Sequence, residues 1–187
     1  MRRNSLLVST IMLLAAAVAP SAAQQLVQAG SEISFTTKQM GVPVSGRFKR
    51  FTATLDFQPQ RPQLAKITMS IETASVSLGS TDNEKLLGTP EWFDLKAFPT
   101  ASFVSSSVRS VAANRFEASG KFTLKGVSRD IVVPFELSKS GEETAAVGGV
   151  TLHRKDFKIG TGAWDDVSLV ADEVAVKFRF VLRDLAH

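Results

Sequence analysis

Apolar and polar residues alternate with a period of two along nearly the whole chain. Apolar residues occupy every second position from Val174 to Leu182, with lysine and arginine among the residues between them. This pattern is typical of a β-strand that buries one face. Eight segments show it: residues 33–37, 51–57, 67–71, 101–105, 116–124, 131–137, 146–152 and 174–182. Because most connections are short, with a turn expected at 41–43, we predict an all-β, eight-stranded antiparallel meander that forms a barrel or a sandwich.

One segment, residues 81–98, breaks the alternation and predicts a helical insert. Thr81 and Glu84 have the spacing of a capping box, so a short helix is expected to begin at Thr81. Gly88 is expected to end it. Thr89-Pro90 predicts a second helical piece, with threonine as N-cap and proline at the first helical position.

The insert carries large apolar side chains that need a surface to cover. Leu86, Leu87, Trp92 and Phe93 are able to face the opening of a barrel. Two interpretations stay open: the insert is a lid that contacts a bound ligand, or a plug that seals one end of the barrel.

Small residues occupy inward positions of the predicted strands: Ala53, Ala118, Gly120, Ala146 and Gly148. Small side chains beside large aromatic ones leave unfilled volume, so we expect an internal cavity. The alternative is that they let the sheet bend or accept a neighbouring ring. The chain has 13 phenylalanines and no tyrosine, and an aromatic pocket without hydroxyl groups suits an aliphatic or polyene chain.

The first 23 residues have the pattern of a secretory signal peptide. Arg2 and Arg3 precede a short apolar stretch at 6–19, and small residues follow at 21–23. We therefore expect a single domain at 24–187, located in the periplasm, with no stable membrane span after cleavage. Without the two arginines the formal net charge falls from +4 to +2, which argues against a nucleic-acid partner. The chain has no cysteine, so disulfides are excluded.

The sequence offers little catalytic chemistry. Its histidines are His153, on the outward phase of its strand, and His187 at the C-terminus, and no Gly-x-Ser-x-Gly motif accompanies them. We do not predict an enzyme, and we expect no cofactor.

The loop before the last strand contains charged residues with two possible roles. Arg154 and Asp156 are two apart, so on a strand they would share a face, where they would pair with each other or meet a polar head group. Four acidic residues between 165 and 173 match no calcium-binding loop, so we expect a solvated loop and no metal site.

The chain resembles the YceI-like family of lipocalin-like periplasmic proteins that bind polyisoprenoids. An ordered set of short segments along the mature chain carries the resemblance: Ser34-Phe35, Gly46-Arg47-Phe48, Phe51, Ser75-Val76, Trp92-Phe93-Asp94, Phe98-Pro99, Phe103, the segment 120–127, Arg154-Lys155-Asp156-Phe157 and Asp172-Glu173-Val174. The chain departs from the family at Lys158, where glycine is common, and at 82–85, where an arginine–aspartate pair is frequent.

The resemblance implies an eight-stranded lipocalin-like barrel that holds a long isoprenoid, such as a quinone or a polyprenyl lipid, with roles in its transport, storage or metabolism or in stress responses. It also implies that a homodimer is possible. The residues predicted to contact the ligand are Phe35, Phe57, Ile67, Met69, Leu86, Trp92, Phe93, Phe103, Phe122, Phe135 and Arg154. Two alternatives stay open: an enzyme acting on such a lipid, and a filled barrel that binds a partner at a strand edge.

Overall fold

The computed structural model describes residues 24–141 and 143–183, and the strands named below lie within these ranges. The predicted signal peptide and His187 lie outside the described residues. Ten strands form one antiparallel sheet: β1 (Gln24–Gln39), β2 (Val42–Phe48), β3 (Phe51–Asp56), β4 (Lys66–Glu72), β5 (Val76–Ser77), β6 (Thr100–Ala112), β7 (Arg115–Leu124), β8 (Val127–Ser140), β9 (Glu143–His153) and β10 (Glu173–Arg183).

The sheet curls and closes where β10 pairs with β1. The predicted all-β, antiparallel, lipocalin-like fold is confirmed, but the strand count of eight is wrong. The barrel nevertheless has eight strand positions around its circumference, because two of these positions are each filled by two shorter consecutive strands. β2 and β3 run in the same direction along β1, separated at Lys49–Arg50. β5 likewise follows β4 after a single 3-10 turn at Thr73–Ser75 and pairs with β2.

The predicted turn at 41–43 is too long. Gln39 pairs with Val42, so the turn consists of Met40 and Gly41 alone, and Pro43 lies inside β2. Proline is tolerated on a strand edge whose N–H groups have no ladder to join. Within the described residues β5 pairs with β2 only at Arg47 and Phe48, which leaves that edge open beside Pro43.

The insert contains one helix rather than two. Helix α1 spans Thr81–Leu87 and ends at Gly88, as expected, but its N-cap is Ser80 and the predicted capping box does not form. The Glu84 carboxylate instead accepts hydrogen bonds from the Leu78 amide and the Ser77 hydroxyl, at 2.9 and 3.1 Å. Residues 89–97 form successive turns.

An aromatic cluster packs one end of the barrel. Phe57, which is 1 % exposed, meets Phe116 edge-on with ring centroids 5.1 Å apart, and Phe116 stacks on Phe135 at 5.5 Å. Burying each ring stabilises the fold by about 1.5–3 kcal/mol. This end is closed, so the open volume lies toward the opposite end, where the insert sits.

Some of the small inward residues leave cavity volume, and others make room for a neighbouring aromatic ring. Ala53, Ala118 and Ala146 line an internal cavity. At Gly120 and Gly148 an added Cβ would lie 2.7 and 2.6 Å from the rings of Phe103 and Phe178, and closer still to backbone carbonyls. The glycines therefore admit neighbouring rings, whereas the alanines leave space.

No helix in the described part of the chain is long and apolar enough to cross a bilayer.

Candidate functional site: the apolar cavity

A cavity of about 270 Å³ occupies the barrel interior. Its walls come from the inward positions of nine strands, from the insert and from the loop before β10, and they are almost wholly aliphatic or aromatic. The polar side chains in the lining are Thr37, Gln39, Asn83 and Arg154. The expected cavity is thus confirmed, and a barrel filled by side chains is not what the chain forms.

Ten of the eleven residues predicted to contact a ligand line this cavity: Phe35, Ile67, Met69, Leu86, Trp92, Phe93, Phe103, Phe122, Phe135 and Arg154. Phe57 does not, because its ring is enclosed by the aromatic cluster at the closed end. Whether the ten contact a ligand stays a prediction.

Several lining residues were missed from sequence. Val44 and Phe48 belong to β2, which was not recognised as a strand, and Trp164 and Val170 belong to the loop before β10. The sequence has apolar residues at 42, 44 and 48, but Pro43 interrupts the pattern and favours a turn there. No periodic pattern marks the loop.

The insert forms one wall of the cavity. Leu86, Leu87, Trp92 and Phe93 all line it. The Trp92 ring lies against Trp164, with centroids 5.6 Å apart, and its buried indole Nε1 has no hydrogen-bond partner among residues 24–141 and 143–183. A buried donor without a partner costs free energy, which the packing of the indole ring has to offset.

Main-chain hydrogen bonds join the insert to the loop before β10. The carbonyl of Glu91 accepts from the amides of Gly160 and Thr161, at 2.7 and 3.0 Å. Lys125 Nζ donates to the carbonyls of Pro90 and Lys158, at 2.6 and 2.8 Å. Burial lowers the pKa of the Lys125 ammonium from its ordinary value, against the attraction of two nearby carboxylates. The two segments therefore form one connected cover over the cavity.

Arg154 organises that loop from inside. Its guanidinium is buried and donates to main-chain carbonyls only: Nη1 to Ile159 and Gly160 and Nη2 to Trp164 and Val170, each at 2.8 Å. Nε is shared between Val170 and Ala171. The predicted pairing of Arg154 with Asp156 is wrong. The strand ends at His153 and a 3-10 turn begins at Arg154, so residues two apart no longer share a face.

His153 is a surface residue, as predicted. Its Nδ1 lies 2.9 Å from Asp172 Oδ2, and the Lys155 amide donates to Asp172 Oδ1 at 3.0 Å. Burial opposes ionisation of Asp172, but these hydrogen bonds outweigh it and lower the pKa of the carboxyl. The pair fixes the start of the 3-10 turn outside the barrel wall.

The acidic residues of the loop have structural partners. Lys155 Nζ lies 3.0 Å from Asp165 Oδ2, and the Ser168 amide donates to Asp166 at 2.8 Å. The described residues contain no group of three or more carboxylate, histidine or cysteine side chains able to hold a metal ion.

These features define a class of protein: a small antiparallel barrel with one packed end and an apolar cavity under a helical cover, as in lipocalin-like binding proteins. The chain belongs to the YceI-like family, since the family model of the YceI-like domain matches residues 25–182.

Relatives of known sequence or structure agree with this assignment. A UPF0312 protein of Pseudomonas savastanoi is 28% identical over 134 residues, which cover 68% of this chain and 70% of the relative. The crystal structure of Burkholderia cenocepacia BcnA superposes with a TM-score of 0.81 at 36% identity, over 84% of this chain and 99% of that one. A polyisoprenoid binding domain from Saccharophagus degradans shares the fold, with a TM-score of 0.69 at 15% identity over 86% and 97% of the two chains.

Proposed function

We propose that this protein binds a long isoprenoid lipid, of quinone or polyprenyl type, inside its barrel. The observation that carries the proposal is the cavity lining, in which inward side chains of nine strands surround the space with aliphatic and aromatic surface. An isoprenoid chain has no hydrogen-bonding groups, so it loses nothing when it leaves water for such a lining.

The distribution of polar groups supports a ligand that is apolar along most of its length. All the N–H groups of Arg154 already have carbonyl partners. The other polar lining side chains, Thr37, Gln39 and Asn83, lie on the β1–β2 hairpin and on α1. Gln39 and Asn83 are exposed, so a polar head group would sit at the rim while the chain fills the interior.

The shared fold with a polyisoprenoid binding domain also supports a lipid of this class. We further propose that the protein acts in the periplasm as a carrier or store of the lipid. The predicted signal peptide supports that location, and a long apolar chain needs a shield from water there.

The direct test is to purify the mature protein and analyse an organic extract by mass spectrometry. We expect a stoichiometric isoprenoid, and we expect delipidated protein to rebind a quinone or polyprenyl phosphate. Protein that carries no lipid and rebinds none would overturn the proposal.

A matched pair of variants on β3 ties binding to the cavity. Ala53 is half-buried and lines the cavity, whereas the adjacent Thr54 faces outward and is exposed. Ala53→Leu fills part of the space and is expected to weaken binding at least about tenfold through steric conflict. Thr54→Leu should leave binding unchanged.

A further inference from the structure

Exposed apolar side chains cluster at one point of the cavity rim. Met40 is 74% exposed and Val42 is 63% exposed, at the tip of the β1–β2 hairpin. Val167 and Leu169, also exposed, lie in the neighbouring loop. The Met40 amide donates to the Leu169 carbonyl at 2.8 Å, so the two segments are adjacent. A contiguous exposed apolar patch marks an interaction site more often than scattered apolar residues do.

The turn itself favours a different residue at position 40. Met40 and Gly41 both have positive φ, at 50° and 80°, as the central residues of a two-residue hairpin. Asparagine or glycine is strongly preferred at the first of these positions, because a left-handed backbone conformation is unfavourable for most side chains. An exposed methionine there gains no packing that would offset this cost.

The corresponding turn of the β7–β8 hairpin offers a comparison. Lys125 occupies the same position with φ of 49°, next to Gly126. Its side chain donates two hydrogen bonds that join the insert to the loop before β10. Lys125 thus has a structural role that offsets its unfavourable backbone conformation. The side chain of Met40 is mostly exposed, which suggests a role in contact with another molecule.

The patch continues into the cavity along β2. Val42, Val44 and Phe48 lie on the same face of the strand, which alternates with a period of two. Val42 is at the exposed tip, while Val44 and Phe48 line the cavity. Across the hairpin, Gln39 pairs with Val42 and with Val170, and both Gln39 and Val170 line the cavity. Val42, Val44, Phe48 and Val170 therefore form an apolar path from the patch to the interior, and the polar Gln39 lies beside it.

We infer that this rim patch, formed by Met40, Val42, Val167 and Leu169, inserts into the apolar layer of a lipid bilayer and gives a lipid chain a path into the barrel. The partner is a bilayer because the patch is small, apolar and continuous with an apolar interior. The purpose of the contact rests on the proposed lipid function, but the contact itself does not require a ligand.

Flotation of the delipidated mature protein with phosphatidylcholine vesicles tests the inference. We expect the wild-type protein to float with the vesicles and Met40→Asn to bind at least about tenfold more weakly, because the exposed methionine side chain that would enter the bilayer is replaced by a polar one. Asparagine tolerates the left-handed conformation, so Met40→Asn should melt no lower than the wild type, and lost binding would not reflect unfolding.

The matched control is Val132→Asn. Val132 is exposed on the outer wall, on β8, and its replacement should leave flotation unchanged. Wild-type protein that stays unbound, or equal binding by Met40→Asn, would overturn the inference. Binding that requires phosphatidylglycerol and disappears in salt would also overturn it, since apolar insertion needs no anionic lipid.

Two further measurements separate the remaining explanations. If sedimentation without vesicles reveals a dimer that Met40→Asn dissociates, the patch is a contact between copies and the inference fails. The Ala53→Leu variant, which leaves the rim intact, should still float. Flotation without isoprenoid binding would therefore refute the proposed function alone, and isoprenoid binding without flotation would refute the bilayer contact alone.

Discussion

At the scale of single residues, Arg154 shows how one side chain can hold a loop in place. The guanidinium brings together carbonyls from two stretches of the loop, 159–164 and 170–171. The five N–H groups of arginine can serve this many carbonyls, whereas the three of lysine cannot. Arg154 is therefore expected to act in stability more than in ligand recognition.

Replacing Arg154 with methionine tests this role. Several buried carbonyls would lose their donors, so we expect Arg154→Met to lower the free energy of unfolding by roughly 3–5 kcal/mol. Arg109→Met is the control: Arg109 forms an exposed ion pair with Glu117, and its loss should cost about 0.5 kcal/mol or less. Urea denaturation measures both. Similar losses for the two variants would contradict the assigned role.

Single residues also mark where sequence reasoning stops. The pattern predicts cavity volume beside Gly120 and Gly148 as well as beside Ala118 and Ala146, but neighbouring rings fill the space beside the two glycines. Alternation places all four on the inward face, but it says nothing about which ring from a neighbouring strand fills the space beside each. That depends on strand register, which one sequence does not specify.

At the scale of elements, a carboxylate fixes the start of the insert. Glu84 of α1 accepts from the Leu78 amide, and secondarily from the Ser77 hydroxyl, and these bonds lower the pKa of its carboxyl from the ordinary value of 4.5. The stabilisation is present above pH 4.5 and is lost as the pH falls through the lower folded-state pKa.

This linkage predicts a change in acid sensitivity. Glu84→Gln has no titrating group, so its stability should fall less than that of the wild type as the pH is lowered from 4.5. Ser77→Ala, which removes the weaker donor, should give an intermediate profile. Thermal melting across the acid range measures the effect. An acid profile of Glu84→Gln identical to that of the wild type would refute it.

The insert as a whole is expected to be a lid rather than a plug. Trp92 lines the cavity, so Trp92→Ala should weaken lipid affinity per folded molecule by about tenfold, through lost apolar contact. A pure plug would instead lose roughly 3 kcal/mol of stability at unchanged affinity. Lipid titration, corrected by the folded fraction from urea denaturation, distinguishes the two outcomes.

Leu95→Ala provides the matched control for Trp92→Ala. Leu95 belongs to the same insert and packs against the hydrophobic core, but it is not among the residues that line the cavity. Its truncation should reduce stability without changing affinity. If both variants weaken affinity equally, the insert acts through its general order and not through contact with the ligand.

Elements differed sharply in how well the sequence predicted them. Each of the eight alternating segments became a strand, because each buries one face and so carries the period of two. β5 has two residues, too few to show a period. Pro43 interrupts the alternation in β2, so the pattern does not predict that strand. The capping box does not form because Glu84 accepts hydrogen bonds from Ser77 and Leu78, which precede the helix. These outcomes depend on contacts between segments, which local patterns do not contain.

At the scale of the whole molecule, closure of the barrel creates the binding volume. β10 pairs with β1 along most of its length. On the other side of β1, β2 forms the β1–β2 hairpin, whose tip reaches the rim. The order of segments carried the family resemblance, the resemblance implied the barrel, and the small inward residues indicated the cavity. The rim, however, emerges only once the turn at Met40–Gly41 and the loop before β10 are placed side by side.

An apolar cavity inside a closed barrel makes stability depend on its ligand. Delipidated protein has unfilled volume whose lining lacks contacts, and a ligand that binds only the folded state adds about 2.7 kcal/mol at a hundredfold excess over Kd. We therefore expect delipidation to lower the melting temperature and added isoprenoid to restore it. In Ala53→Leu, the added lipid should restore much less, because the same volume is already occupied. Equal restoration in the two proteins would mean that the lipid stabilises the fold from a site outside the barrel.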